Sequence, residues 1–232
     1  MIERWMAQSV FTFGRRAAAM SGILAVVAIF RYPGGTFRDR STEGYSFTHN
    51  FLSDLGMTVA HDGRVNTLGA ILFVVSLTTL VVGLGGAVIG LIRLYSDATA
   101  RRLAGAAGAV ALLVCASFIG VAVTPENRLL SLHILLTRVA FRAFPLVGVL
   151  MTLATYYESR LPRRVGVAWA VLTVILAAYV GILDWGPRVS APGGLVTQVI
   201  AQKIVALSAA LILVYQSLEA DRALAATGSR TG

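Results

Sequence analysis

Residues 65–92 read VNTLGAILFVVSLTTLVVGLGGAVIGLI, an unbroken run without one charged side chain. A helix needs about 20 mostly apolar residues to cross the hydrocarbon core of a bilayer, so this run reads as a membrane span. The pattern repeats on both sides of it. Arg16–Phe30 precedes it, and Leu103–Val123, Leu132–Tyr157, Val165–Leu183 and Leu195–Tyr215 follow. Composition agrees, because 56% hydrophobic and 13% charged residues lie well outside the balance of a soluble domain. The expectation is an all-α polytopic membrane protein. It has six transmembrane helices in a single domain over residues 1–232, with residues 31–64 forming the one long loop between helices one and two.

The first run is the shortest and begins beside Arg15 and Arg16. A cleaved signal peptide fits poorly, because Phe30, Arg31, Tyr32 and Pro33 are too bulky and polar for a small-residue cleavage site, and the rest of a twin-arginine pattern is missing. Upstream, Trp5, Met6, Val10 and Phe13 recur at helical spacing beside Glu3 and Arg4, which predicts either a short amphipathic segment on the membrane surface or a frayed tail.

Basic residues set an expected orientation. Arg4, Arg15, Arg16, Arg93, Arg101, Arg102, Arg160, Arg163, Arg164, Arg222 and Arg230 fall on one side of the six spans. Arg31, Arg38, Arg40, Arg64, Arg128 and Arg188 fall on the other, diluted by Asp39, Glu43, Asp54 and Asp62. The excess of arginine on one side predicts both termini in the cytoplasm. It also accounts for the net charge of +9 as arginine at the edge of an anionic membrane, with no nucleic acid required. The single cysteine, Cys115, lies inside the third run, so no disulfide can form within the chain and a packed thiol is expected.

The long loop carries the densest polar and aromatic sequence, GYSFTHNFLSDLG over residues 44–56. Tyr32-Pro33-Gly34-Gly35 ends helix one as a turn. Phe47, Phe51, Leu52, Leu55 and Met57 fall roughly on one side of a helical wheel, with Ser46, His49, Asn50, Ser53 and Asp54 over much of the rest. A short interfacial or re-entrant helix is therefore predicted, ended by Gly56 and lidding the bundle. Gly83, Gly86 and Gly90 in helix two, and Gly105 with Ala109 in helix three, predict close helix contacts.

The run His49-Asn50-Phe51-Leu52-Ser53-Asp54-Leu55-Gly56, with Asn66 opening the second span, resembles the serine-acidic-leucine-glycine motif of a bacterial and archaeal membrane family, domain of unknown function 998. Thr124-Pro125-Glu126 followed by His133 is similar to that family's proline, acidic residue and histidine between spans three and four. A more distant likeness is to Frag1/DRAM/Sfk1-like six-span proteins. The resemblance implies a six-helix bundle in a bacterial or archaeal cytoplasmic membrane and a site near the serine-aspartate element. It implies no reaction, although some of the more distant relatives are linked to lipid remodelling.

Topology expects His49, His61 and His133 at the same end as Asp54, Glu126 and Asp184. Three histidines with aspartates could hold zinc, but no His-x-x-x-His or His-Glu-x-x-His pair is present, and histidine at a helix end also serves in plain polar packing. No cofactor is otherwise called for. Arg138 and Arg142 are four residues apart on helix four and would lie roughly 9 and 15 Å into the membrane from Leu132, at about 1.5 Å per residue. Lys203, the only lysine, lies at similar depth on helix six beside Gln198 and Gln202. Buried cations need anions or a wet cavity.

Two readings follow. The arginines lock helices together through Asp184 and backbone carbonyls loosened by Pro145, or they face a cavity and grip a phosphate with their two-pronged guanidinium groups. The site expected from the sequence is thus His49, Asn50, Ser53, Asp54, His133, Arg138, Arg142, Asp184, Gln198, Gln202 and Lys203. Its expected ligand is an anionic lipid or isoprenoid phosphate, with membrane lipids as partners. In an enzyme, a lipid hydrolase or transferase, Asp54 or His133 would be general acid or base beside the Ser53 hydroxyl. A small transporter using Asp54, Asp184 and Lys203, and an assembly protein with every charge internally paired, remain the alternatives.

Overall fold

The computed structural model describes the backbone of residues 2–228 and the side chains of residues 9–225. Its elements run α1 (Ile2–Arg31), a 3-10 turn (Leu52–Gly56), α2 (Thr67–Leu94), α3 (Ala98–Val123), α4 (Glu126–Tyr157), α5 (Arg163–Trp185) and α6 (Gly194–Gly228). All six helices are long and apolar enough to cross a membrane. Each packs on its successor in chain order, and α6 returns against α1, so the six close into a ring. Exposed leucine, isoleucine and valine cover the outside of the ring, as lipid-facing helices require.

Small residues set the closest approach. A Cβ on Gly83 would lie 2.7 Å from the Ala17 Cβ, and one on Gly90 would lie 3.1 Å from the Phe11 ring, so the glycine stripe of α2 receives α1 as expected. The paired expectation for Gly105 fails, because that position faces open space. Gly108 makes the contact instead, against Ile92. Further staples join α1 to α2, where Ser76 donates to the Ser21 carbonyl at 2.8 Å.

Four boundaries differ from the sequence expectation by five residues or more; among them α4 starts at Glu126 and not at Leu132, and α6 runs past Tyr215 to Gly228. The first helix is continuous from Ile2 and does not begin at Arg16. Phe11 is fully buried against α2, and the Arg15 guanidinium meets Asp221 at 2.5 Å and the Ser217 carbonyl at 3.1 Å. The helix around Phe11 and Arg15 is therefore part of the bundle, whereas the amphipathic segment expected upstream rests largely on Glu3, Arg4, Trp5 and Met6, whose side chains, like Arg230, lie outside the described residues. In addition, α3 begins at Ala98 because Asp97 caps it, its side chain accepting from Thr99 and Ala100 at 2.8 Å each.

The long loop folds back over one end of the ring. Two antiparallel bridges, Gly34 with Glu43 and Val59 with Val65, pin its limbs. Gly35 sits at φ +79°, and a Cβ there would lie 2.4 Å from the Asp62 nitrogen, so only glycine lets the limbs close. Arg38 ties the loop to the α5–α6 connection by donating to the carbonyls of Val189 at 2.9 Å and Ala191 at 2.6 Å. Thr58 accepts from Asn127 at 3.1 Å and Arg128 at 3.0 Å at the start of α4. The predicted amphipathic helix is reduced to the 3-10 turn at Leu52–Gly56. Its faces are also mixed: Leu55 and Met57 are buried and His49 is exposed as expected, but Asn50 and Asp54 are buried too, while Phe47 is exposed. The physical reason is that the side chains of Asn50 and Asp54 find their partners inside the loop itself, in each other, the Ser46 and Phe51 N–H groups, the Gly35 carbonyl and His61.

Candidate functional site

Under this loop the ring is hollow. A cavity of about 520 Å³ is walled almost entirely by apolar side chains of α1, α2, α3, α4 and α6, with Phe73, Phe118, Phe141 and Phe144 among them. Its size suits one small ligand, since such pockets measure roughly 300–1,000 Å³. The hollow arises because α1 and α6 touch at one end and part at the other. Gly14 lies against Leu213 and Ser217, whereas a Cβ on Gly22 would meet nothing within 4 Å. Gly22 of α1, with Ile204 and Leu207 of α6, lines the cavity and is also exposed. The gap between these helices is therefore a sideways opening on the apolar flank of the bundle.

The roof supplies the polarity. Ser53, Gln202 and Lys203 line the cavity together with Phe47 and Leu52. Lys203 is only 8% exposed, and its Nζ donates to the Asn50 carbonyl at 2.5 Å. The Tyr45 and Phe47 rings flank it, with centroids 5.2 and 5.1 Å from Nζ, which stabilises a cation away from water. Gln202 spends its side-chain oxygen on the Leu52 N–H at 2.8 Å, leaving its amide N–H groups for other partners. The Ser53 hydroxyl makes no hydrogen bond within the chain among the described residues. The roof thus offers a hydroxyl, an amide and an ammonium to whatever occupies the cavity beneath.

Asp54 stands behind that roof. It is 2% exposed and does not line the cavity; its carboxylate accepts from the Asn50 amide at 2.9 Å and the Phe51 N–H at 3.1 Å, and meets His61 Nε2 at 3.4 Å. The hydrogen bond to Asp54 raises the pKa of His61, burial opposes this, and the charges of Asp54 and Glu126 add to the rise. Asn50 is saturated as well: its amide also donates to the Gly35 carbonyl at 2.9 Å and its side-chain oxygen accepts from the Ser46 N–H at 2.9 Å. Burial, and after it the Asp54 charge, pushes the Tyr45 phenol well above its ordinary pKa, so Tyr45 stays a donor to the carbonyls of Asn50 at 3.0 Å and Phe51 at 3.1 Å. Asp54 and Asn50 therefore act as a keystone, holding the peptide that carries Ser53.

The remaining expected residues do not join this cluster. Arg142 pairs with Asp184 in the last turn of α5. The depth estimated for Arg142 overlooked that α5 has 23 residues against 32 in α4, so α5 ends early and its terminal carboxylate comes within reach. The carbonyls freed by Pro145 play no part, since Arg142 Nη1 points to the Arg138 carbonyl at 3.5 Å. Arg138 is exposed on the flank of α4 and lines neither the cavity nor the roof. Gln198 donates to the Pro187 carbonyl at 2.8 Å. His133 is buried against the Thr124 carbonyl at 2.7 Å, and His49 is exposed beside Thr48 at 2.8 Å. No group of three metal-ligating side chains forms among the described residues, so the zinc alternative lacks a ligand set.

Sequence reasoning missed the cavity walls, Gly22 and the aromatic pair around Lys203. Only Tyr45 and Phe47, two residues apart in the polar loop, left a trace in the sequence. No family model, curated protein or solved structure matches this chain.

Proposed function

We propose that this protein binds a single-chain anionic amphiphile, such as an acyl chain or isoprenoid phosphate. The ligand enters from the bilayer between α1 and α6, with its tail in the cavity and its head under Lys203. The observation that carries this reading is the placement of the only lysine, with a free hydroxyl and a free amide, at the roof of an apolar hollow that opens sideways. A cation kept away from water beside an apolar volume gains most when an anion fills the space next to it. The bound species would be a membrane lipid. The protein would act in lipid handling or envelope maintenance, and no chemical step is assigned.

The orientation belongs to the same proposal. Arg15, Arg93, Arg101, Arg102, Arg160, Arg163, Arg164 and Arg222 lie at the end opposite the loop, which supports both termini facing the cytoplasm and the roof facing outward across a bacterial or archaeal inner membrane. The likeness to domain of unknown function 998 supports the same layout, and we propose membership on the residues given above.

Native mass spectra of protein released from nanodiscs test the binding. Wild type should carry one defined anionic lipid, and Lys203→Met should lose it while unfolding at a similar temperature, because Tyr45 still satisfies the Asn50 carbonyl. Equal lipid retention in both proteins, or none in either, would sink the proposal.

A further inference from the structure

The cavity limits its occupant in length. The α6 residues that line it run from Ile200 to Leu213, about 20 Å at about 1.5 Å per residue. An apolar cavity of about 150 Å³ takes up one benzene, and at that ratio about 520 Å³ holds about 20 carbons. That is one long tail. The two tails of a diacyl phospholipid exceed it.

The head is limited by charge. Among the described residues Lys203 is the one cation that lines the cavity, and no arginine does. Arg142 is taken by Asp184, Arg64 by Asp62 and Arg38 by the Val189 and Ala191 carbonyls. The Asp54 carboxylate stands close behind, accepting from the amide of Asn50, whose carbonyl accepts from Lys203. A phosphate monoester carries about −1.5 to −2 charges at pH 7, whereas a carboxylate carries one. Against a single ammonium, and with Asp54 behind it, the further charge of a phosphate would be buried without a partner, which is costly away from water. The two oxygens of a carboxylate match the donors left unspent there, which are the Ser53 hydroxyl, the Gln202 amide and the remaining Lys203 N–H groups.

The roof is also shut. Asn50, Asp54 and Leu55 are buried in it, and the sideways opening past Gly22, Ile204 and Leu207 is apolar. A head that continued beyond its anion, as a glycerophosphate does, would have to pass one or the other. The head therefore ends at its charge. Resting on the binding proposed above, we infer that the occupant is a free long-chain fatty acid, with its carboxylate under Lys203, Ser53 and Gln202 and its tail along α6.

A competition tests this. Lipid-depleted protein in detergent at neutral pH is offered octanoate, laurate, stearate, stearyl phosphate and lysophosphatidylglycerol in equal amounts, and the bound species are weighed by native mass spectrometry. Wild type should retain one stearate, at least about tenfold over octanoate, stearyl phosphate and lysophosphatidylglycerol, and Lys203→Met should lose it. Ala210 lines the cavity about two turns below Lys203. Ala210→Phe adds about six carbons to the wall there, so its preference should move from stearate to laurate, and Ala210→Leu should move it about half as far. Laurate held by Ala210→Phe also shows that the variant is folded. Stearyl phosphate or lysophosphatidylglycerol displacing stearate in a Lys203-dependent way would overturn the fatty acid and leave the binding of an anionic amphiphile standing. Octanoate retained as well as stearate, or stearate still preferred by both Ala210 variants, would overturn the placement of the tail. No Lys203-dependent ligand of any kind would end both proposals.

Discussion

The two ends of the bundle bury carboxylates to opposite purposes. At the end away from the loop, Glu158 accepts from the N–H of Ser96 at 2.5 Å, of Asp97 at 3.3 Å and of Arg160 at 2.9 Å, joining the α2–α3 and α4–α5 connections. Glu219 lies between Arg164 at 2.6 Å and Arg222 at 2.5 Å. Glu219 is matched by two guanidinium groups, Glu158 is held by N–H groups and the Ser96 hydroxyl, and neither carboxylate adjoins the cavity. At the loop end, Asp54 is occupied by Asn50, Phe51 and His61, while the cation of the same cluster, Lys203, receives only a backbone carbonyl and two aromatic faces. Both ends leave polar atoms unpaired, Gln216 Oε1 and Asp221 Oδ1 among them at the end away from the loop, but only the loop end leaves donors beside a large volume.

Removing the keystone should have the largest effect. Asp54→Ala strands Asn50, the Phe51 N–H and His61 together, and the loss expected for breaking a buried network is about 3–5 kcal/mol. Glu158→Ala should also lower the unfolding temperature, yet protein that remains folded should retain its lipid, whereas folded Asp54→Ala should not. Lipid loss in both variants would break the contrast between the ends.

Narrowing the opening comes next. Gly22→Trp adds bulk where a Cβ meets nothing within 4 Å, so stability should change by less than about 0.5 kcal/mol for a site without close neighbours. Lipid retention should fall several-fold, read by native mass spectrometry. Unchanged retention would place the entrance elsewhere than between α1 and α6.

How far this contrast is legible in the sequence depends on which physical term encodes it. The spans are written in long apolar runs, and all six form. The start of α1 was hidden because Arg15 and Arg16 interrupt the hydropathy signal, although Arg15 is satisfied by α6 across the ring. Asn50, Asp54 and Ser53 were identifiable as an unusual polar cluster, but their direction was not: a helical wheel sends polar groups outward when nothing inside offers partners, and here the folded loop does, through Gly35, Ser46, Phe51 and His61. Arg138 and Arg142 drew attention as deep charges because span depth was counted from one helix alone. The cavity itself has no sequence signature, since it is made by two helices parting, and what marks it at Gly22 is the absence of a neighbour.

The smallest effect concerns protonation, and it sharpens the difference between the ends because no histidine contacts Glu158 or Glu219 among the described residues. His61 touches Asp54 at 3.4 Å, its pKa is raised by that contact, and the nearby Glu126 charge adds to the rise while Arg40 opposes it. A histidine whose folded pKa exceeds its unfolded value contributes stability that is complete below the unfolded pKa of about 6.5 and is lost as pH rises through the folded pKa. Opening of the roof, followed by hydrogen exchange at the Phe51 amide, should therefore become faster as pH increases through that window, after correction for the intrinsic exchange rate. In His61→Gln the residual pH dependence should vanish, while exchange at the Ser96 amide, held by Glu158, should follow the intrinsic rate in both proteins. A roof whose corrected exchange is flat across the window in wild type would mean that His61 stays neutral and that Asp54 is held by Asn50 and the Phe51 amide alone.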